Sequence, residues 1–377
     1  MKGKQGMVCM GLLLVLSSCH TGKQITASGL QRKDFQTEVN GQHTDLFTLS
    51  NKQGMEVCIT NYGARVVSIL VPDRNGKRED VVCGFSTITE YMEQRQNFGS
   101  TVGRYIGRIL NARFTLDGVE YKLVPNNGKS GHISHGGNPG FADRIWKVEQ
   151  ADTHRVRLSY LSPDGENGFP GNLKVTLVYS LGEDDNALDL TYEATTDAPT
   201  VLNLSHHSFF NISGNFTKSV EDQQLWVDVD RFTPYDDKKC VTGEYLPVAG
   251  TPLDFRMPHA IGECIDADHP QLKVVNGYDH TWELNTKGDD TRPAAWVYDP
   301  ASGRKMEIFT TEPGMQIYTG NGLKGKMTGK GRIAYPFRSA VCFETMHFQD
   351  SPNQPGFPST VLRPGEVFRS HTVYKFE

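Results

Sequence analysis

Leu173-Lys174-Val175-Thr176-Leu177-Val178-Tyr179-Ser180-Leu181 carries an apolar residue at every odd position and a polar one at most even positions. Successive side chains of an extended chain point to opposite faces, so this stretch turns one face to a core and the other to water, as a half-buried strand does. The turn set Gly182 to Asn186 follows, and Leu188, Leu190, Tyr192 and Ala194 alternate again, which predicts an antiparallel hairpin. Phe114-Thr115-Leu116, Asp117-Gly118 and Val119-Glu120-Tyr121 predict a second hairpin, with Gly118 supplying the positive φ of a tight turn. Val156 to Tyr160 and Met306 to Ile308 repeat the alternation. Helical signals are few. Thr87-Ile88-Thr89-Glu90 has the spacing of a capping box and predicts a short helix through about Gln94. Short strands separated by Gly, Pro, Asn and Asp turns predict an all-β fold, antiparallel sheets packed as a sandwich, with one large domain over residues 36–377.

Composition narrows the function. The chain has 377 residues, 37% of them hydrophobic and 10% aromatic, which suits a folded core and excludes a disordered chain. Its 39 Lys and Arg against 44 Asp and Glu give a formal charge of -5 with the two signs interspersed, so no basic stripe is available and nucleic acid is not expected as a partner.

Lys2 and Lys4 precede a short apolar run, Met7 to Leu16, that ends in Leu16-Ser17-Ser18-Cys19. This resembles a bacterial lipoprotein signal peptide over residues 1–18, with Cys19 as the lipidated residue; an ordinary secretory signal with a chance cysteine is the alternative. Either way the mature protein is expected outside the cytoplasm, in the lipoprotein case anchored in the bacterial cell envelope through the N-terminal lipid alone. Residues 19–35 are expected to form a flexible tether. Besides Cys9 and Cys19 the cysteines are Cys58, Cys83, Cys240, Cys264 and Cys342. An odd number without Cys-x-x-Cys spacing reads as small buried hydrophobes, a Cys240 to Cys264 bridge being left open.

Five places hold polar residues that a β surface does not require: Gly103 to Ile109, Ser134 to Gly137, Asn203 to Asn211, Gly277 to His280, and Cys342 to Thr345. The first lacks a Gly-Lys-Ser/Thr ending and a following helix, so it is no phosphate loop. Its Arg104 and Arg108 read either as surface ion pairs or, for Arg104, as a donor fork for hydroxyls or a carboxylate. Glycines after His135 let its backbone approach a neighbour closely. His206 and His207 are adjacent, so in a strand only one of them faces a given pocket. Glu344 ends an apolar run, where a carboxylate is expensive unless partnered. His132, His135, His206 and His207 have no metal-motif spacing, so no metal is expected.

Taken in order, these segments resemble the aldose 1-epimerase (galactose mutarotase) family. The resemblance also runs through Gly140 to Trp146, Ser162 to Gly171, Pro313 to Asn321 and Pro358 to Glu366. It implies a large antiparallel β-sandwich and interconversion of the α and β anomers of free aldohexoses such as galactose and glucose, without cofactor. It also implies Glu344 as base and His207 as acid, with His135, Arg104, Asp279 and Gln316 binding a free monosaccharide. Phe209 or Tyr278 would stack on the sugar or pack in the core. Ile106, Ser134, His206 and Met346 depart from the family pattern, and the approach from Asn127 to His135 is longer. The alternative in another class is a non-catalytic carbohydrate-binding envelope lipoprotein.

Overall fold

Leu173–Leu181 is a strand in which every odd residue is buried and every even one partly or fully exposed. A computed structural model describes residues 24–377 of the chain; the expected leader and lipidated Cys19 lie outside the described residues. The strand pairs with Ala187–Thr196 from Leu181 opposite Leu188 to Leu173 opposite Thr196, which is the hairpin read from the alternation. Arg113–Leu116 and Val119–Lys122 pair likewise around Asp117 and Gly118, both at positive φ. The predicted capping box starts the helix Ile88–Gln94, with Glu90 N–H donating to Thr87 Oγ1 at 3.2 Å.

Nine antiparallel strands form the largest sheet, with Leu173–Leu181, Ala187–Thr196, Phe368–Phe376 and Lys305–Thr310 as successive neighbours. Six more form a second sheet in which Val341–Met346, Gly314–Tyr318 and Asp279–Leu284 lie side by side, and Leu46–Ser50 opens a third of four strands. One hydrophobic cluster fills the space between them, drawing Val175, Leu177 and Leu190 from the nine-stranded sheet and Trp282, Met315, Ile317 and Phe343 from the six-stranded one. Burial of this kind is the main favourable term in folding. Tyr374 OH donates to Phe343 O at 3.0 Å across the gap.

Residues 24–35 are not a free tether. Leu30 and Phe35 are buried, Arg32–Phe35 makes a turn of 3-10 helix, and Ala27 N–H donates to Glu56 Oε1 at 2.7 Å. Apolar Leu30 and Phe35 dock because cluster residues Leu46 and Cys58 leave an apolar surface for them. Cys58, Cys83, Cys240, Cys264 and Cys342 are all free thiols, so Cys240 and Cys264 are unbridged; Cys240 Sγ instead lies 3.2 Å from His132 Nε2.

Candidate active site

Period-two geometry splits the six-stranded sheet into a core face and a pocket face. Register places His280, Ile317 and Phe343 abreast, and Trp282 beside Met315, on the core side. The alternate residues therefore point the other way. Asp279 stands opposite Tyr318, which stands opposite Cys342; Thr281 stands opposite Gln316, which stands opposite Glu344. Asp279, Gln316, Tyr318 and Glu344 line one cavity of ≈ 250 Å³.

His207 reaches the same cavity from the strand Ser205–His207, held by Ser100–Val102. Its neighbour His206 faces the core, bonded through Nε2 to Ser208 Oγ at 2.6 Å between the rings of Tyr179 and Tyr374. His207 turns Nε2 to Glu344 Oε1 at 3.4 Å and Nδ1 to Cys342 Sγ at 3.7 Å, with Phe209 stacked on its ring. His135, at φ 52°, lies edge to face with His207, ring centres 5.4 Å apart. Gly136 makes that approach feasible: a Cβ there would fall 1.9 Å from Gly103 O. His135 Nδ1 accepts from Gly107 N–H at 3.4 Å, which leaves Nε2–H as the donor of the neutral ring.

Arg104 does not bind at this cavity. Its guanidinium is buried elsewhere, donating to Ser162 Oγ at 2.6 Å and to the carbonyls of Pro170 and Gly171 at 2.7 and 3.0 Å. Arg108 lines the cavity instead. Arg104 is buried, and among the described residues neither arginine makes a surface ion pair. Tyr278 is likewise core, its hydroxyl donating to Pro252 O at 2.8 Å and its ring against Phe255, whereas Phe209 forms cavity wall. Gln349, Asn97 and Gln96 also line the cavity, and no motif in the sequence singled them out.

An amide network fixes the floor. Thr281 Oγ1 donates to Gln316 Oε1 at 2.5 Å, Gln316 Nε2 to Asp279 Oδ1 at 2.6 Å, and Gln349 Nε2 to Tyr235 OH at 2.7 Å. The backbone N–H of Arg108 and its guanidinium Nη1 both donate to Gln349 Oε1, at 3.3 and 3.5 Å. Such a network holds carboxylate and guanidinium in fixed positions for hydroxyl groups.

Burial sets the protonation of the titratable groups at the cavity. It pushes the Glu344 carboxyl well above the usual carboxylate range; nearby Asp279 adds to this and Arg108 opposes it. It pushes His207 down to about 4, and His135 down to about 3 with His207 and Arg108 contributing. Asp279 is raised by burial, with Arg108 and Gln316 pulling back. Among the described residues, one group of metal-ligand side chains converges, His207, Cys342 and Glu344, with ligand atoms within 4.8 Å of one another. His207 spends its two ring nitrogens on different partners there, which suits a hydrogen-bond chain better than a common ion.

The family model for aldose 1-epimerase matches residues 45–375. The chain belongs to the aldose 1-epimerase family. The galactose mutarotase of Bos taurus is 40% identical over 331 residues, covering 88% of this chain and 93% of its own length. The aldose 1-epimerase of Escherichia coli (strain K12) is 36% identical over 339 residues, covering 89% and 96%. Among solved structures, an aldose epimerase homologue from C. elegans superposes with a TM-score of 0.82 at 30% identity, covering 89% of this chain and 99% of that one. The galactose 1-epimerase from Lactobacillus acidophilus NCFM gives 0.78 at 28% identity, covering 90% and 96%. The β-sandwich expected for this aldose 1-epimerase family member is the architecture observed.

Proposed function

We propose that the protein interconverts the α and β anomers of free aldohexoses, galactose and glucose, with Glu344 as base and His207 as acid. Ring opening requires removal of the proton from the anomeric hydroxyl and protonation of the ring oxygen. With one shared proton the pair exists either as carboxylate and imidazolium or as carboxylic acid and neutral imidazole. The first form carries out opening and ends as the second, so reclosure on either face of the aldehyde restores it without exchange with solvent. Raising Glu344 makes it a stronger base and lowering His207 makes its imidazolium a stronger acid, so the sugar-free pair rests as carboxylic acid and neutral imidazole, and once the shared proton has crossed to His207 burial drives its transfer in the direction of opening. Nε2–H of His135 donates to the sugar near the ring oxygen. Arg108, Asp279 and Gln316 hold the remaining hydroxyls.

The observation that carries this reading is the 3.4 Å approach of His207 Nε2 to Glu344 Oε1, both buried, at one wall of a cavity that also holds the polar groups of Arg108, His135, Asp279 and Gln316. Polarimetry of freshly dissolved α-D-galactose and α-D-glucose tests it. Wild type accelerates the approach to equilibrium, and Glu344→Gln and His207→Asn, both folded, each lose about a hundredfold or more. Sugar binding by calorimetry without acceleration would instead make the protein a carbohydrate-binding module.

We also propose a bacterial cell-envelope address, the chain held to the membrane by a lipid on Cys19. The charged start, the apolar run Met7 to Leu16 and the Leu16-Ser17-Ser18-Cys19 junction support it. Cys19→Ala should release the protein from the membrane fraction and abolish incorporation of labelled palmitate.

A further inference from the structure

Arg65 opens the strand Arg65–Pro72, which is buried on both faces, and its own side chain is fully buried. Among the described residues it makes no ion pair, Asp143 acting on it only from a distance, and its Nε has no hydrogen-bond partner. Backbone carbonyls hold the guanidinium instead: Nη1 donates to Gln96 O at 2.6 Å and to Phe98 O at 3.1 Å, and Nη2 to Ala142 O at 2.7 Å. Its Cζ lies 5.1 Å from the ring centre of Tyr91 and 5.5 Å from that of Tyr62. A buried cation without a carboxylate is expensive, and an apolar side chain of similar volume would fill the space without that cost. What the fork holds explains why a guanidinium stands here.

Both segments in its grip back onto the cavity of Glu344 and His207. Gln96 and Asn97 are cavity wall, Gly99 N–H donates to His207 O at 3.0 Å, and Phe98 packs edge to face on Phe209, whose ring stacks on His207. On the other side Phe141 N–H donates to Gly103 O at 3.2 Å, the carbonyl that Gly136 must approach for His135 to reach His207. Resting on the acid and base roles given above, we propose that Arg65 is a positioning residue, which from outside the cavity fixes His207 against Glu344 and sets its spacing from His135. None of its hydrogen-bond partners lies in the six-stranded sheet that carries Asp279 and Gln316, so it governs turnover and leaves sugar binding to others. Its charge reaches the same imidazole. His207 faces Glu344 and Cys342 on one strand and His135 across the cavity, with His206 beside it in the chain and Asp279 and Arg108 acting on Glu344 in turn. Burial is the main cause that lowers His207, and Arg65 adds to it.

Polarimetry on α-D-galactose and histidine ring NMR on the sugar-free protein test this with the full chain, as wild type, Arg65→Met and Arg65→Lys. Arg65→Met keeps most of the volume and removes both fork and charge. Its kcat should fall about tenfold with KM within about twofold, as for a displaced reacting group, and the His207 titration midpoint should rise by roughly half a unit. Arg65→Lys keeps the charge but cannot span three carbonyls, so kcat should fall about threefold while the midpoint stays at the wild-type value. Thermal melts show which variants fold; if Arg65→Met does not, Arg65→Lys decides by the same split between kcat and KM. A folded variant with wild-type kcat, one whose KM rises as much as kcat falls, or an Arg65→Met whose His207 midpoint does not move would overturn the proposal. Failure of wild type to accelerate galactose would overturn the epimerase reading instead, and the His207 midpoints would then decide the hold of Arg65 on that histidine by themselves.

Discussion

Two histidine–carboxylate pairs each take one residue from the strand Val341–Met346 or its end, and they behave oppositely. His207 and Glu344 approach to 3.4 Å; His347 and Glu312, one just past Val341–Met346 and the other just before Gly314–Tyr318, meet at 2.7 Å. Both carboxylates are buried, with side-chain exposures of 4% and 2%. Burial works against charge on His347, but the hydrogen bond and charge of Glu312 outweigh it and hold this histidine above its ordinary value. Burial wins at His207, which falls to about 4, and Glu344 rises, with Asp279 adding its repulsion. A short, exclusive contact makes an ion pair that braces the fold. A longer contact with a second carboxylate nearby makes a proton-exchanging couple.

The largest break in that comparison comes from removing each carboxylate in turn. Glu344→Gln should abolish acceleration of galactose anomerisation, by about a hundredfold or more, with the melting temperature little changed. Glu312→Gln should do the reverse, keeping most of the rate in polarimetry and losing about 3 kcal/mol in urea unfolding, as when one partner of a buried pair is removed. Its pH dependence has a definite sign. His347 has a folded pKa above its unfolded one, so its contribution is fully present below the unfolded value and is lost as pH rises through the folded one. The stability gap between wild type and Glu312→Gln should therefore be wider at pH 6 than at pH 9.

A smaller effect sharpens the catalytic half. Asp279 raises Glu344 and Arg108 lowers it, so Asp279→Asn should let the couple lose its shared proton at lower pH, and Arg108→Met at higher pH. The alkaline limb of kcat/KM should shift by roughly one unit in these opposite directions, on top of the loss in sugar binding. Smaller still is Cys342→Ala, which removes only a 3.7 Å sulfur contact to His207 Nδ1 and should change the rate by about threefold or less.

Sheet structure was legible because period two survives in a single strand: the odd residues of Leu173–Leu181 are buried whatever surrounds them. Glu344 was legible for a related reason, as a carboxylate in an apolar strand must face something. Arg104 and Arg108 were not separable in this way. Between Gly103 and the positive-φ Gly107 the chain turns, alternation cannot be counted through it, and tertiary contacts with Ser162 and Pro170 decide which arginine leaves the cavity. Gln349 lies beyond the end of its strand, where no periodicity reaches. The segment 24–35 looked like a tether because its few apolar residues have no period, yet Leu30 and Phe35 each find a hydrophobic contact.

Histidine ring NMR across pH 4 to 9 on the sugar-free protein tests the contrast between the two pairs most directly. His207 should remain neutral down to about pH 4 while His347 stays protonated above the range of an exposed imidazole. A His207 that titrates near pH 6.5 or higher, as an ordinary ion-paired imidazole does, would contradict the assignment of His207 and Glu344 as a buried proton-sharing couple.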